Sequence, residues 1–148
     1  MAGLRITAVE GQHQGEVLEA KFNPSEIDLD RAVTWRQQSG KGPADLEFER
    51  AEPAEMTFKL LFDGTETAAS VQPQLDRLRA FNSIDGVLHR PPKVRVSWGS
   101  GAGTMPTFEG VVESVAVRYT MFAESGVPLR ATADVKLKEA ANLRSHAP

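Results

Sequence analysis

The chain has 148 residues, 41% of them hydrophobic and 25% charged, with a net charge of −3. That is the profile of one ordinary globular domain, large enough to bury a sizeable core. There is no cysteine, which excludes disulfide scaffolds, thiolate metal sites and thiol catalysis. The acidic balance argues against general nucleic-acid binding, no apolar run reaches the ~20 residues of a membrane helix, and residues 1–5 show no signal-peptide core.

In chain order, residues 4–9 alternate Leu4, Ile6 and Ala8 against Arg5 and Thr7, a strand with one buried face. Gly11 and Gly15 frame a polar turn. Residues 16–22 resume strand character, and Asn23-Pro24 then punctuates the chain, since a residue before proline is driven out of the helical region. Ile27, Leu29, Ala32, Val33 and Trp35 read as a third extended piece.

Residues 36–55 are polar and irregular, with Gly40, Gly42, Pro43 and Pro53 and one short candidate strand at 46–49. A stretch of this length without firm elements is unusual in a small domain. It is either a mobile insertion or a projecting arm that orders on a partner. Residues 56–62 place Met56, Phe58, Leu60 and Phe62 on one strand face.

The spacing of Val71, Leu75, Leu78 and Phe81 predicts one helix between about residues 68 and 84, with Ser70 as its cap and Pro73 in its first turn. Asp85-Gly86 closes it. Residues 93–98 alternate without fault. Residues 99–103 form a flexible connection, and 107–119 a long strand with Val111, Val115 and Val117 among its apolar positions. In 127–139, Leu129, Ala131, Ala133, Val135 and Leu137 oppose Arg130, Thr132, Asp134, Lys136 and Lys138. About 12 such residues span roughly 40 Å. The tail 140–148 carries no signal and is expected to fray.

The expected fold is therefore mainly β: an antiparallel barrel or sandwich with one flanking helix. Residues 1–139 form the domain, 36–55 its arm and 140–148 its tail. The core is expected to contain Phe58, Leu60, Leu75, Leu78, Val94, Val96, Val135 and Leu137.

No catalytic constellation stands out, and no catalytic, cofactor-binding or metal-binding residues are assigned. His13 lies in a turn, His89 before two prolines and His146 in the tail, too scattered for a metal site. Ser97 or Ser114 with His89 and Asp85 lacks a nucleophile elbow. The run Gly99-Ser100-Gly101-Ala102-Gly103 lacks the Lys-Ser/Thr of a phosphate loop. Glu109 and Glu113 read as solvated strand acids, and Trp35 and Trp98 as core or interface packing rather than a sugar platform. The basic positions 93, 95, 130, 136 and 138 lack the interleaved aromatics of a single-strand binder. Residues 1–62 carry a net −4 and residues 93–148 a net +2. That split either favours head-to-tail packing of copies or marks two solvated surfaces.

Several words in order carry a family resemblance. They are Phe22-Asn23-Pro24-Ser25-Glu26, Pro43-x-x-Leu46-x-Phe48 and Leu60-Leu61-Phe62-Asp63-Gly64. Further on come His89-Arg90-Pro91-Pro92-x-Val94-x-Val96-x-Trp98-Gly99 and Phe108-x-Gly110-Val111-Val112. The last is Tyr119-Thr120-Met121-Phe122-x-x-x-Gly126-x-Pro128-Leu129-Arg130-Ala131. Over residues 3–139 this resembles the tube-protein domain of contractile injection systems, the phage-tail-like particles of bacteria. The resemblance implies a β-barrel-like tube fold without catalysis or cofactors. It implies rings of six copies at the inner tube or baseplate hub, with neighbouring tube and spike proteins as partners. Neither nucleic acid nor membrane insertion is implied. Assembly would start in the bacterial cytoplasm. Longer members carry a peptidoglycan-binding LysM module, for which the chain leaves no room after residue 139. The alternative reading is a stand-alone β-barrel that binds a ligand or the cell wall.

Overall fold

The structure is a computed structural model and describes residues 3–37, 45–99 and 101–144. In chain order the elements are β1 (Leu4–Ala8), β2 (Val17–Glu19), β3 (Ile27–Asp30), β4 (Val33–Gln37), β5 (Leu46–Ala51) and β6 (Glu55–Asp63). They continue with α1 (Gln72–Ala80), β7 (Val94–Trp98), β8 (Phe108–Phe122) and β9 (Pro128–Glu139). Seven strands make one sheet in the order β2-β1-β7-β8-β9-β6-β3, and β4 and β5 form a second sheet of two. Every pairing is antiparallel.

The fold is mainly β with one helix, as the alternation predicts, but the ladder does not close into a barrel. It folds over on itself as a sandwich-like layer, with β2 and β3 as unpaired edges. The chain between them holds the two edges together. Ala20 N–H donates to Leu4 O at one edge, and Phe22 bridges Leu61 of β6 at the other. The stretch 16–22 is thus a three-residue strand followed by a step across the sheet.

The core lies under the inward face. It gathers Leu4, Ile6, Phe58, Leu60, Val94, Val96, Val135 and Leu137 with Leu75, Leu78 and Phe81 of the helix segment. All eight predicted core residues are buried. β9 sits between β6 and β8 in the sheet, which explains why its alternation is the cleanest in the chain.

Alternation alone misreads β8. Phe108, Gly110 and Val112 face inward, and a register shift between Val112 and Ser114 then moves the inward face to Val115, Val117 and Tyr119. A bulge adds one residue and so reverses the parity of a strand. Val112, not Val111, is therefore the core residue. Gly110 is required by contact: a Cβ there would run into the Lys138 carbonyl and Glu139 Cα of β9.

The helix is shorter than its apolar spacing, Gln72–Ala80, with Pro73 in the first turn as expected. Val71 is its N-cap, and no side chain caps it. Ser70 Oγ instead accepts the Gln72 N–H at 3.1 Å, one position upstream. Phe81 leaves the helix in a tighter turn, its N–H donating to Leu78 O, yet remains fully buried. Three polar ties dock the helix. Tyr119 Oη donates to Gln72 Oε1 (2.8 Å), Arg77 donates to Val17 O (2.8 Å), and Asn82 donates to Val112 O (2.7 Å).

The predicted third extended piece divides in two. Residues 27–30 pair with β6, while 33–37 pair only with β5. Within the region 36–55, the expected short strand at 46–49 extends over Leu46–Ala51. It is the second strand of a hairpin whose first strand is β4. Residues 38–44 lie outside the described residues, as does the arm expectation for that part. The tail's first residues are tethered: Ala140 N–H donates to Glu109 O, and Lys93 Nζ donates to Ala141 O. Residues 145–148 lie outside the described residues.

Candidate assembly surfaces

Among the groups weighed as chemical candidates, Asp85 and His89 meet through backbone atoms, and His146 lies outside the described residues. The Asp85 carboxylate is buried and taken by three backbone donors: Gln12 N–H (2.9 Å), Val87 N–H (2.8 Å) and Leu88 N–H (3.1 Å). Burial pushes its pKa up, but these donors outweigh burial and hold it below the usual carboxylate value. The residue is a clamp between the turn after β1 and the turn after α1. His89 is exposed, with a left-handed backbone (φ 60°), and its N–H donates to the Asp85 carbonyl. His13 pairs with Glu16 (2.5 Å). Among the described residues, no three His, Asp or Glu side chains are grouped to hold a metal ion. The turn after β7 opens with Gly99 and contains Gly101 and Gly103, all three at positive φ, so its glycines serve a β-connection.

Four of the five candidate basic positions are ion-paired within the chain. Arg95 reaches Glu109 at 2.9 Å and Lys93 reaches it at 3.7 Å. Arg130 pairs with Asp63 (3.2 Å), and Lys136 lies between Glu55 and Glu113 (3.7 and 3.8 Å). Glu109 and Glu113 each face a cation rather than each other. The Arg95 hydrogen bond leads the causes that lower the Glu109 pKa, against opposing burial. Glu10 is lowered in the same way by Arg90, helped by the Lys93 N–H. Across the β6–β9 ladder the pairs run in both directions, Glu55 with Lys136 and Lys59 with Asp134.

The exposed features are edges and faces. Edge strand β3 carries Asp28 and Asp30 just after Glu26, charges that oppose pairing with stray strands. A shallow groove of about 610 Å³ runs along the base of the hairpin, between Arg31, Glu52 and Pro53 on one side and Lys93 and Glu109 on the other. There Arg31 grips both carboxylate oxygens of Glu139 at 3.0 Å, and Glu139 Oε1 accepts the Ala54 N–H.

The β4–β5 hairpin is the most exposed part of the fold: apart from half-buried Thr34, every residue of its strands faces solvent. The register pairs Trp35 with Phe48, Val33 with Ala51 and Gln37 with Leu46, so the apolar side chains share one face. The two rings meet edge-on, centroids 5.7 Å apart. On the opposite face Arg36 pairs with Glu47 (3.0 Å). Thr34 Oγ1 donates to Glu52 (2.6 Å), the leading cause that lowers the Glu52 pKa. Trp98 packs partly buried against the core, whereas Trp35 does not reach it. Sequence reading left both tryptophans as core or interface packing; Trp98 packs on the core, Trp35 does not, and the paired aromatic face of the hairpin was missed. The signal was present as Val33-x-Trp35 and Leu46-x-Phe48 with charged residues between.

These surfaces define a β-rich building block, a fold whose exposed chemistry lies on its edges and on one projecting sheet. The chain belongs to the contractile injection system tube protein family, which matches it over residues 3–147. Among curated proteins, none matches the chain.

Proposed function

We propose that this chain is a structural subunit of the inner tube or baseplate hub of a phage-tail-like injection particle. It forms a closed ring of six copies that joins tube to spike, and its role is assembly rather than catalysis. The particle is built in the bacterial cytoplasm. The family match along nearly the whole chain carries this reading. The outward face of β6, β9 and β8, with Lys59, Asp134, Arg118 and Lys136, supports it as a wall suited to a water-filled lumen. Ring closure requires a heterologous interface, and a stable one buries well over about 1,000 Å². Deletion of the gene is the test: particles should lose complete tubes or the tube–spike junction. Contraction-competent particles assembled without this protein would refute the assignment.

A further inference from the structure

The β4–β5 hairpin joins the body through two short links, Arg31-Ala32 on the way in and Glu52-Pro53-Ala54 on the way out. Both links begin where Asp30 of β3 faces Glu55 of β6. The hairpin is thus the β3–β6 pair carried past a bend. Beyond the bend its strands pair only with each other, and none of their side chains is part of the core. Two strands by themselves are marginal in water, so the direction in which the hairpin stands is set at its root.

At the root one side chain touches both links. Glu139 is the last residue of β9, and a guanidinium nitrogen of Arg31 lies 3.0 Å from each of its carboxylate oxygens. Its Oε1 also accepts the Ala54 N–H at 3.2 Å, and its own N–H donates to Ala54 O at 2.8 Å. Ala54 is buried and Pro53 has a ring-fixed φ, so the outgoing link is a firm pivot. The incoming link is less secure. Arg31 and Ala32 are exposed, and Ala32 O is taken by the Glu52 N–H of the other link. The Arg31 guanidinium is what ties that link to β9. Beside the bend runs the groove of about 610 Å³, with Ala51, Glu52 and Pro53 on the hairpin side and Lys93, Thr107 and Glu109 on the body side. It leaves room for the hairpin to lean.

We infer that Glu139 is a positioning residue: by holding Arg31 and the Ala54 N–H together, it latches the hairpin at one angle in the free subunit. An exposed ion pair adds little to the stability of a fold. Here the competing state is not the unfolded chain but the same hairpin tilted about its links, and charge-assisted hydrogen bonds at the bend select between the two. With the latch open the hairpin swings as a unit, because the Trp35–Phe48 and Arg36–Glu47 contacts lie within it. A preset arm spares any partner the entropy of orienting it. The inference concerns the single subunit and does not rest on the tube reading.

The chain has no cysteine, so Gln37→Cys on the hairpin and Thr120→Cys on β8, both exposed positions, take spin labels at two defined places. Double electron–electron resonance on the full labelled chain should give one narrow distance distribution. Glu139→Ala and Arg31→Ala should each widen it by roughly 5 Å or more, the scale on which links of two or three residues flex. Arg36→Ala removes an ion pair of equal length inside the hairpin and should leave the width unchanged. Circular dichroism should match the labelled parent throughout; if Glu139→Ala alters it, Arg31→Ala decides alone. The inference is overturned if the parent distribution is already broad, if Arg31→Ala leaves the width unchanged, or if Arg36→Ala widens it as much.

Discussion

Leu78→Ala probes the helix placement on which the closed side of the core depends. Leu78 is fully buried and lies with Leu75 and Phe81 in the core cluster. The change removes three carbons, about 2.4 kcal/mol at roughly 0.8 kcal/mol each. The helix is fixed at both ends by Gln72–Tyr119 and Asn82–Val112, so the site cannot collapse fully. Residual cavity adds about 1 kcal/mol for each ~40 Å³ left open. The expected loss is about 3–4 kcal/mol, a large part of the roughly 5–15 kcal/mol that holds a domain together. At about 2–4 °C per kcal/mol for a chain of this size, Tm should fall by about 6–16 °C. Ile84→Ala is the matched control: Ile84 lies six residues on, in the turn region after the helix, and is 78% exposed. Its cost should stay within about 0.5 kcal/mol. Urea titration of both variants decides. A loss below about 0.5 kcal/mol for Leu78→Ala, or equal losses at the two sites, would refute the packing argument.

Gly110→Ala forces a Cβ onto the Lys138 carbonyl and should cost about 1–3 kcal/mol by overpacking, read from the same titration. Acidification should destabilise the fold. The folded-state pKa values of Glu10, Asp63, Asp85 and Glu109 are all depressed, so their contribution is complete above the ordinary carboxylate range and lost as pH falls through the lower folded values. Thermal midpoints measured from pH 7 down to pH 3 should therefore drop on the acid side, and a rise in Tm there would contradict the assigned partners. Asp85→Asn should lower Tm at pH 7 and make that acid dependence shallower, because one of the titrating groups is gone. Trp35→Ser with Phe48→Ser should leave the unfolding free energy within about 0.5 kcal/mol, since neither ring belongs to the core.

Period-two alternation determined most of this fold on its own. Residues 56–62 and 127–139 alternate because each strand has one face on the core and one in water, and six of the eight predicted core residues follow from that rule. The helix was legible from Leu75 and Leu78, and the family from ordered words along the chain. Tertiary structure decided the rest. The bulge that exchanges Val111 for Val112 leaves no mark in hydrophobicity, because both residues are valine. The fate of 27–35 depended on pairing partners distant in sequence: β6 takes residues 27–30, while β5 alone takes 33–37. Which charges meet could not be read until the ladder set Glu55 beside Lys136 and Asp63 beside Arg130. The same holds for the aromatic ends. Trp35 reads as core or interface packing in sequence, and only a hairpin that pairs with no other strand leaves it and Phe48 facing solvent, off the core.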